Sequence, residues 1–191
     1  MPTAIAPDAL IPPWPTADLW REANDAVSFM LRQWAGRITG ARQLARCIRW
    51  RLETLDRPMA ALCRATCPSC ADVCCLRATV WYDFKDLIYL HLCGETIPPA
   101  QLIEARGKSC RYLSAGGCVL PRPQRPFVCT WYLCPEQKSL MRQPSGAGTE
   151  RIINSLEMIK ADRHRLENRL IEAIDGCCGK PGSRSTRRMN R

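Results

Sequence analysis

The chain has 191 residues, 46% of them apolar and 24% charged, with a mean hydropathy of −0.24. These are ordinary globular proportions, and no run approaches the roughly 18 unbroken apolar residues of a membrane span, so wholesale disorder and membrane insertion both fit poorly. Two quantities depart from the ordinary: thirteen cysteines, and 28 basic against 18 acidic residues, a formal charge of +10.

Residues 1–15 are Pro-rich without helical period and read as an extended arm. Met1 to Trp14 lacks the basic start and apolar centre of a secretory signal and is broken by Pro2, Pro7, Pro12 and Pro13, so a reducing, cytoplasmic setting is expected. Residues 16–66 read as a helical hairpin. Thr16 is a candidate N-cap with Asp18 in the first turn, the stripe Leu19, Ala23, Val27, Met30 and Trp34 follows, and Gly36 closes the helix. The second helix carries Leu44, Ile48, Leu52 and Leu55, and Pro58 is expected to kink or break it before Met59, Leu62 and Cys63. Its opposite face holds Arg42, Arg46 and Arg49, a stripe that suits phosphate contacts but reads better as a solvated face helped by Glu53 paired with Arg57.

Residues 67–136 form a cysteine-rich segment of weaker periodicity. Ala78 to Tyr82 is β-prone, Asp83 caps a helix running to Cys93 with Gly94 as its stop, and Gln101 to Arg106 suggests a short helix ending at Gly107. Cys110 to Leu120 reads as a small β-hairpin turning at Ser114 to Gly117, and Pro126 opens a short turn through Cys129. After the linker 143–148, residues 149–176 form a long helix with Ile152, Leu156, Ile159, Leu166, Leu170 and Ala173 on one face and Arg163 as the polar exception. That helix is expected to pack on the hairpin. Residues 180–191 hold five basic residues and no acids, a tail able to add nonspecific affinity for nucleic acid or acidic protein. The fold class is therefore mainly α: a helical hairpin and a long C-terminal helix around an irregular cysteine-rich segment with a small β-hairpin.

An odd cysteine count, with the neighbours Cys74-Cys75 and Cys177-Cys178, argues against a disulfide framework. The thiols cluster instead. Cys67, Cys70, Cys74 and Cys75 make a CxxCxxxCC block, and Cys110, Cys118, Cys129 and Cys134 make a second group. A CxxC knuckle turns two sulfurs toward one ion, and eight thiolates suffice for two tetrahedral sites or one larger cluster, so zinc or iron, including an iron-sulfur cluster, is the expected cofactor. Only His91 and His164 are present, which leaves no HExxH or His-rich catalytic zinc site, and His91 reads as a hydrogen-bonding or surface residue. Arg125, beside Pro126, is positioned to donate to thiolate sulfur and offset its charge.

These residues resemble a known family. The CxxCxxxCC block, the Gly117-Cys118-Val119-Leu120 step and Arg125-Pro126-Phe127-Val128-Cys129 followed by Cys134 are similar to the YkgJ-type cysteine-cluster family of zinc- or iron-chelating domains, over about residues 63–136. The resemblance implies metal chelation by the eight cysteines, and the family includes relatives of flagellin lysine N-methylase. Cys47, Cys63, Cys93, Cys177 and Cys178 fall outside its pattern. A metal-binding protein is the leading expectation, with a metal ion as ligand. The alternatives are a metal-dependent enzyme acting on a protein substrate or partner, for which no Gly-rich nucleotide loop or Ser/His/Asp arrangement speaks, and a basic nucleic-acid-binding zinc module, which lacks any recognised module spacing.

Overall fold

Thr16 starts the first helix, α1 (Ala17–Gln33), through its hydroxyl, which accepts from the Leu19 N–H at 3.3 Å. The structure, a computed structural model, describes residues 11–70, 73–143 and 148–175. Most of the predicted arm, residues 144–147 of the linker, Cys177, Cys178 and the basic tail lie outside the described residues. The buried face of α1 is Trp20, Asn24, Val27 and Leu31, one step round from the expected stripe, and Leu19 is exposed. The largest side chain decides this. The Trp20 indole N–H donates to the Pro98 carbonyl at 2.7 Å, and its ring lies 5.2 Å from that of Tyr82 and 6.2 Å from that of Trp14. Asn24 is tolerated inside because both ends of its amide are used, Nδ2 donating to the Trp20 carbonyl at 2.8 Å and Oδ1 meeting His91 Nε2 at 3.0 Å.

The second helix, α2 (Thr39–Thr66), runs unbroken through Pro58, so the expected break does not occur. Its apolar face continues past the proline, with Ile48, Leu52, Leu55 and Met59 all buried, and that burial outweighs one lost backbone bond. Leu44 sits at the edge of this face, while Ala41 and Ala45 are fully covered. Glu53 pairs with Arg49 at 3.0 Å rather than with Arg57, and Arg49 also reaches Glu95 at 2.8 Å.

Helix α3 (Phe84–Cys93) follows the sequence reading closely. Asp83 and Asp86 form a reciprocal capping box, and Gly94 ends the helix at φ 72°, a conformation that glycine adopts without penalty. Leu87, Ile88, Tyr89, Leu90 and Leu92 are buried on nearly every side of it, as in a helix at the centre of the core. Both α1 and α2 pack on α3.

Two expected elements are absent. Ala78 to Tyr82 forms no strand; Ala78 exchanges backbone bonds with Gly107 (2.9 Å) and Lys108 (3.2 Å), and Tyr82 is satisfied by a side chain. Residues 101–106 form no helix, because Gln101 is turned inward, 1% exposed, with its Oε1 accepting from Tyr82 N at 2.7 Å and Leu102 N at 2.9 Å, and its Nε2 donating to Tyr82 O at 3.1 Å and Pro13 O at 3.0 Å. One glutamine amide thus serves as the pairing partner that a second strand would have been. The hairpin does form, with β1 (Leu113–Ser114) antiparallel to β2 (Gly117–Cys118) and Leu113 opposite Cys118.

Beyond it, Pro126 leads into α4 (Val128–Trp131), and Pro135 opens α5 (Pro135–Met141), a helix the periodicity did not reveal. The long helix α6 (Thr149–Asp175) packs chiefly on α2 with Ile152, Leu156, Ile159, Leu166 and Leu170 inward. Asp162 joins the contact through Arg51 at 3.2 Å. The protein is mainly α with a small antiparallel hairpin, and no helix among the described residues is long and apolar enough to cross a membrane.

Candidate metal centre

Cys67 begins a single 3₁₀ turn (Cys67–Ser69) directly after α2, and Cys70 closes it, its N–H donating to the Cys67 carbonyl at 3.2 Å. The knuckle is therefore anchored to the end of a 28-residue helix. Cys74 and Cys75 follow with their sulfurs 4.0 Å apart. The Cys75 carbonyl accepts from the Cys110 N–H at 2.8 Å, which ties the second block of cysteines to the first. Cys118 sits on β2, Cys129 on α4, and Cys134 is the N-cap of α5.

The electrostatics follow this gathering. A hydrogen bond from the Cys75 thiol to Cys74, burial, and the nearby Cys74, Cys110 and Cys129 together push the Cys75 thiol far up. Burial, with Cys110 and Cys118 close by, pushes Cys129 up to about 12, while Arg125 pulls it down. Burial followed by Cys63 and Cys74 raises Cys67. Without a cation the thiolate forms repel one another, which is the environment a soft cation relieves. Cys74, Cys75, Cys110, Cys118 and Cys129 thus act on one another, and Cys67 is coupled to the group through Cys74. Cys70 ends the 3₁₀ turn that Cys67 begins, and the Cys134 sulfur accepts from the Gln137 N–H at 3.4 Å as the N-cap of α5.

Arg125 differs from its expected role. Its Nε donates to the Leu120 carbonyl at 2.9 Å and not to sulfur, so it fixes the step between hairpin and α4 while its charge favours the Cys129 thiolate. The segment is held a second time by Asp86 on α3, whose Oδ1 accepts from the Phe127 N–H at 3.1 Å and from Arg163 Nη2 of α6 at 2.9 Å. The Arg163 guanidinium lies 4.9 Å from the Phe127 ring centroid. Three elements thereby meet at the residue that leads into Cys129.

Two residues escaped the sequence reading. Cys63 lies in the last turn of α2, four residues before Cys67 at the helix C-cap; that i,i+4 relation was the available signal. Arg122 gave none, standing between two prolines, yet its side chain is 1% exposed. Its Nε and Nη1 have no hydrogen-bond partner, the nearest acid being Asp56 at 3.5 Å, and Cys63 and Cys118 are among the groups that act on its charge.

Among the described residues, no three His, Cys, Asp or Glu side chains are grouped so as to hold a metal ion. The thiols are gathered without being converged. Two features nonetheless suit a soft metal: an all-sulfur donor set, and a buried guanidinium whose unsatisfied donors call for negative charge beside them. A cleft of about 660 Å³ has Phe127, Trp131, Met141 and Leu156 among its lining residues and no cysteine. In comparisons with protein families, curated proteins and solved structures, nothing matches the chain.

Proposed function

We propose that the protein is a cytoplasmic metal-binding protein in which Cys67, Cys70, Cys74, Cys75, Cys110, Cys118, Cys129 and Cys134 chelate zinc or iron, the latter as an ion or an iron-sulfur cluster. The observation that supports this reading is the placement of these thiols on separate stretches of chain, after α2, before and within the hairpin, on α4 and at the start of α5, with the Cys74 and Cys75 sulfurs 4.0 Å apart and the Cys110 N–H bonded to the Cys75 carbonyl. Structural thiolate sites contribute about 10–16 kcal/mol of apparent binding free energy, enough to organise the irregular stretches between helices and to draw the sulfurs together. The resemblance to the YkgJ-type family points the same way, and a reducing compartment keeps such thiols available. The basic face of α2 supports nucleic-acid binding less well, since Arg49 is committed to Glu53 and Glu95.

The test is metal analysis with an absorption spectrum on protein purified anaerobically. Stoichiometric zinc in a colourless protein, or iron with visible absorption, is the expected result. Protein that arrives without either metal and takes up neither on reconstitution overturns the reading.

A further inference from the structure

The cleft of about 660 Å³ is lined by two kinds of side chain, and no thiol is among them. The apolar kind is Phe127, Trp131, Leu133, Met141, Ile153 and Leu156. Trp131 and Ile153 are 50% and 47% exposed, so large apolar surface stays open to solvent here. On α6 the lining positions run from 153 to 164 along one helical face, and on α5 positions 138, 141 and 142 share a face. The volume falls within the range of about 300–1,000 Å³ found for sites that enclose a small organic molecule.

The second kind is charged, and mostly basic. Five lysine or arginine side chains line the cleft against two acids, Asp83 and Glu157, a net charge of +3 with His164 set aside. Two of the cations are engaged, Lys85 with Glu167 at 2.7 Å and Arg163 with Asp86 at 2.9 Å. Lys138, Arg142 and Lys160 are exposed and take part in none of the ion pairs among the described residues. Asp83 caps α3 and faces Arg163 at 3.6 Å, which leaves Glu157 as the one acid against these three cations. Residues 144–147, Pro-Ser-Gly-Ala, supply neither a charge nor a large apolar group to complement such a lining, and the tail 180–191 has the same sign as its cations.

We infer that this cleft binds a small amphipathic organic anion, its apolar body against Phe127, Trp131, Met141 and Ile153 and its single carboxylate or phosphate head held by Lys138, Arg142 and Lys160. Burial of the body supplies affinity, and the three cations supply the preference of sign, because a cationic head would meet uncompensated like charge. A concave lining suits one enclosed molecule better than a lipid surface or a protein face. The site uses no cysteine and goes beyond the metal-binding reading.

The experiment titrates the full-length protein calorimetrically with decanoate, decylammonium, decanol and acetate, below the concentrations at which the amphiphiles aggregate. Decanoate is expected to bind at one equivalent, decylammonium about 10-fold more weakly or worse, and acetate, a head without a body, not measurably. Combining Lys138→Gln, Arg142→Gln and Lys160→Gln is expected to weaken decanoate about 10-fold or more while leaving decanol unchanged. Ile153→Glu, at an exposed position, weakens both ligands, and Arg46→Gln, on the exposed face of α2, weakens neither. Absence of decanoate binding by wild type, equal affinities for decanoate and decylammonium, or full decanoate affinity in the triple variant overturns the inference. An equal loss in Arg46→Gln also overturns it, since net charge and not the cleft would then attract the anion. Binding of an acidic aromatic peptide, or of phosphatidylglycerol vesicles, by protein that takes up no monomeric decanoate would assign the cleft to a macromolecular surface and overturn it likewise.

Discussion

Gln101 and Asp86 show how single buried polar residues position the rest. The four bonds of the Gln101 amide satisfy both backbone groups of Tyr82 and fasten Pro13 to the core. Gln101→Ala strands a buried N–H and is expected to cost about 2–4 kcal/mol, read as a lowered urea midpoint; a loss below about 0.5 kcal/mol would mean water replaces the amide without penalty. Asp86→Ala leaves Arg163 facing only the half-exposed Asp83 at 3.6 Å and removes the acceptor of Phe127 N, so a loss of about 3 kcal/mol is expected, with Asp86→Asn milder because it keeps that acceptor. Chemical denaturation of the two variants checks the order. At this scale the sequence was partly legible. Asp83 and Gly94 are caps by local rules and sit where those rules put them. Arg163 was visible only as the polar exception on the apolar face of α6, and the burial of Gln101 and Arg122 had no signal, because nothing local announces a polar side chain whose partners lie on distant segments.

Among the elements, the long periodic helices were legible and the short ones were not. α3 and α6 carry strong caps or long apolar faces, whereas α5 offers seven residues opened by a proline and was invisible to periodicity. The stripe of α1 was read one step out of place because the pattern admitted two faces and the docking of Trp20 under Pro98 chose between them. Pro58 is the instructive case. Local propensity predicts a break, and tertiary burial of Leu55 and Met59 on either side overrides it. The cost persists, since proline has no N–H to offer the Thr54 carbonyl. Pro58→Ala is therefore expected to stabilise the protein by about 1–3 kcal/mol, seen as a rise of several degrees in thermal midpoint. An unchanged or lower midpoint would show that α2 depends on the proline's shape.

For the whole molecule, the question is how far the fold depends on metal. The cysteine-rich segment reads from sequence as organised by its ligands, so that chelation is expected to unfold residues 67–134 together. α3 lies in the middle of that range, and Leu87, Ile88, Leu90 and Leu92 belong to the same core as Ile48, Leu52 and Ile159. That core is apolar and contains none of the proposed ligands among its buried residues, so its burial free energy survives metal loss. Removal of zinc or iron is expected to loosen 67–77 and 108–134 alone. Near-UV circular dichroism should fall, most far-UV helical signal should remain, and amide exchange should rise in those two stretches while 84–93 stays protected. The charge argument runs parallel. If the eight cysteines held two four-thiolate zinc ions, each site near 2−, the formal +10 would fall to about +6, five of those positive charges lying in residues 180–191, so the metal-free body would be markedly more basic than a loaded one. Loss of protection across α3 on chelation would mean that the metal holds the core together; unchanged exchange everywhere would mean that the gathered thiols organise nothing.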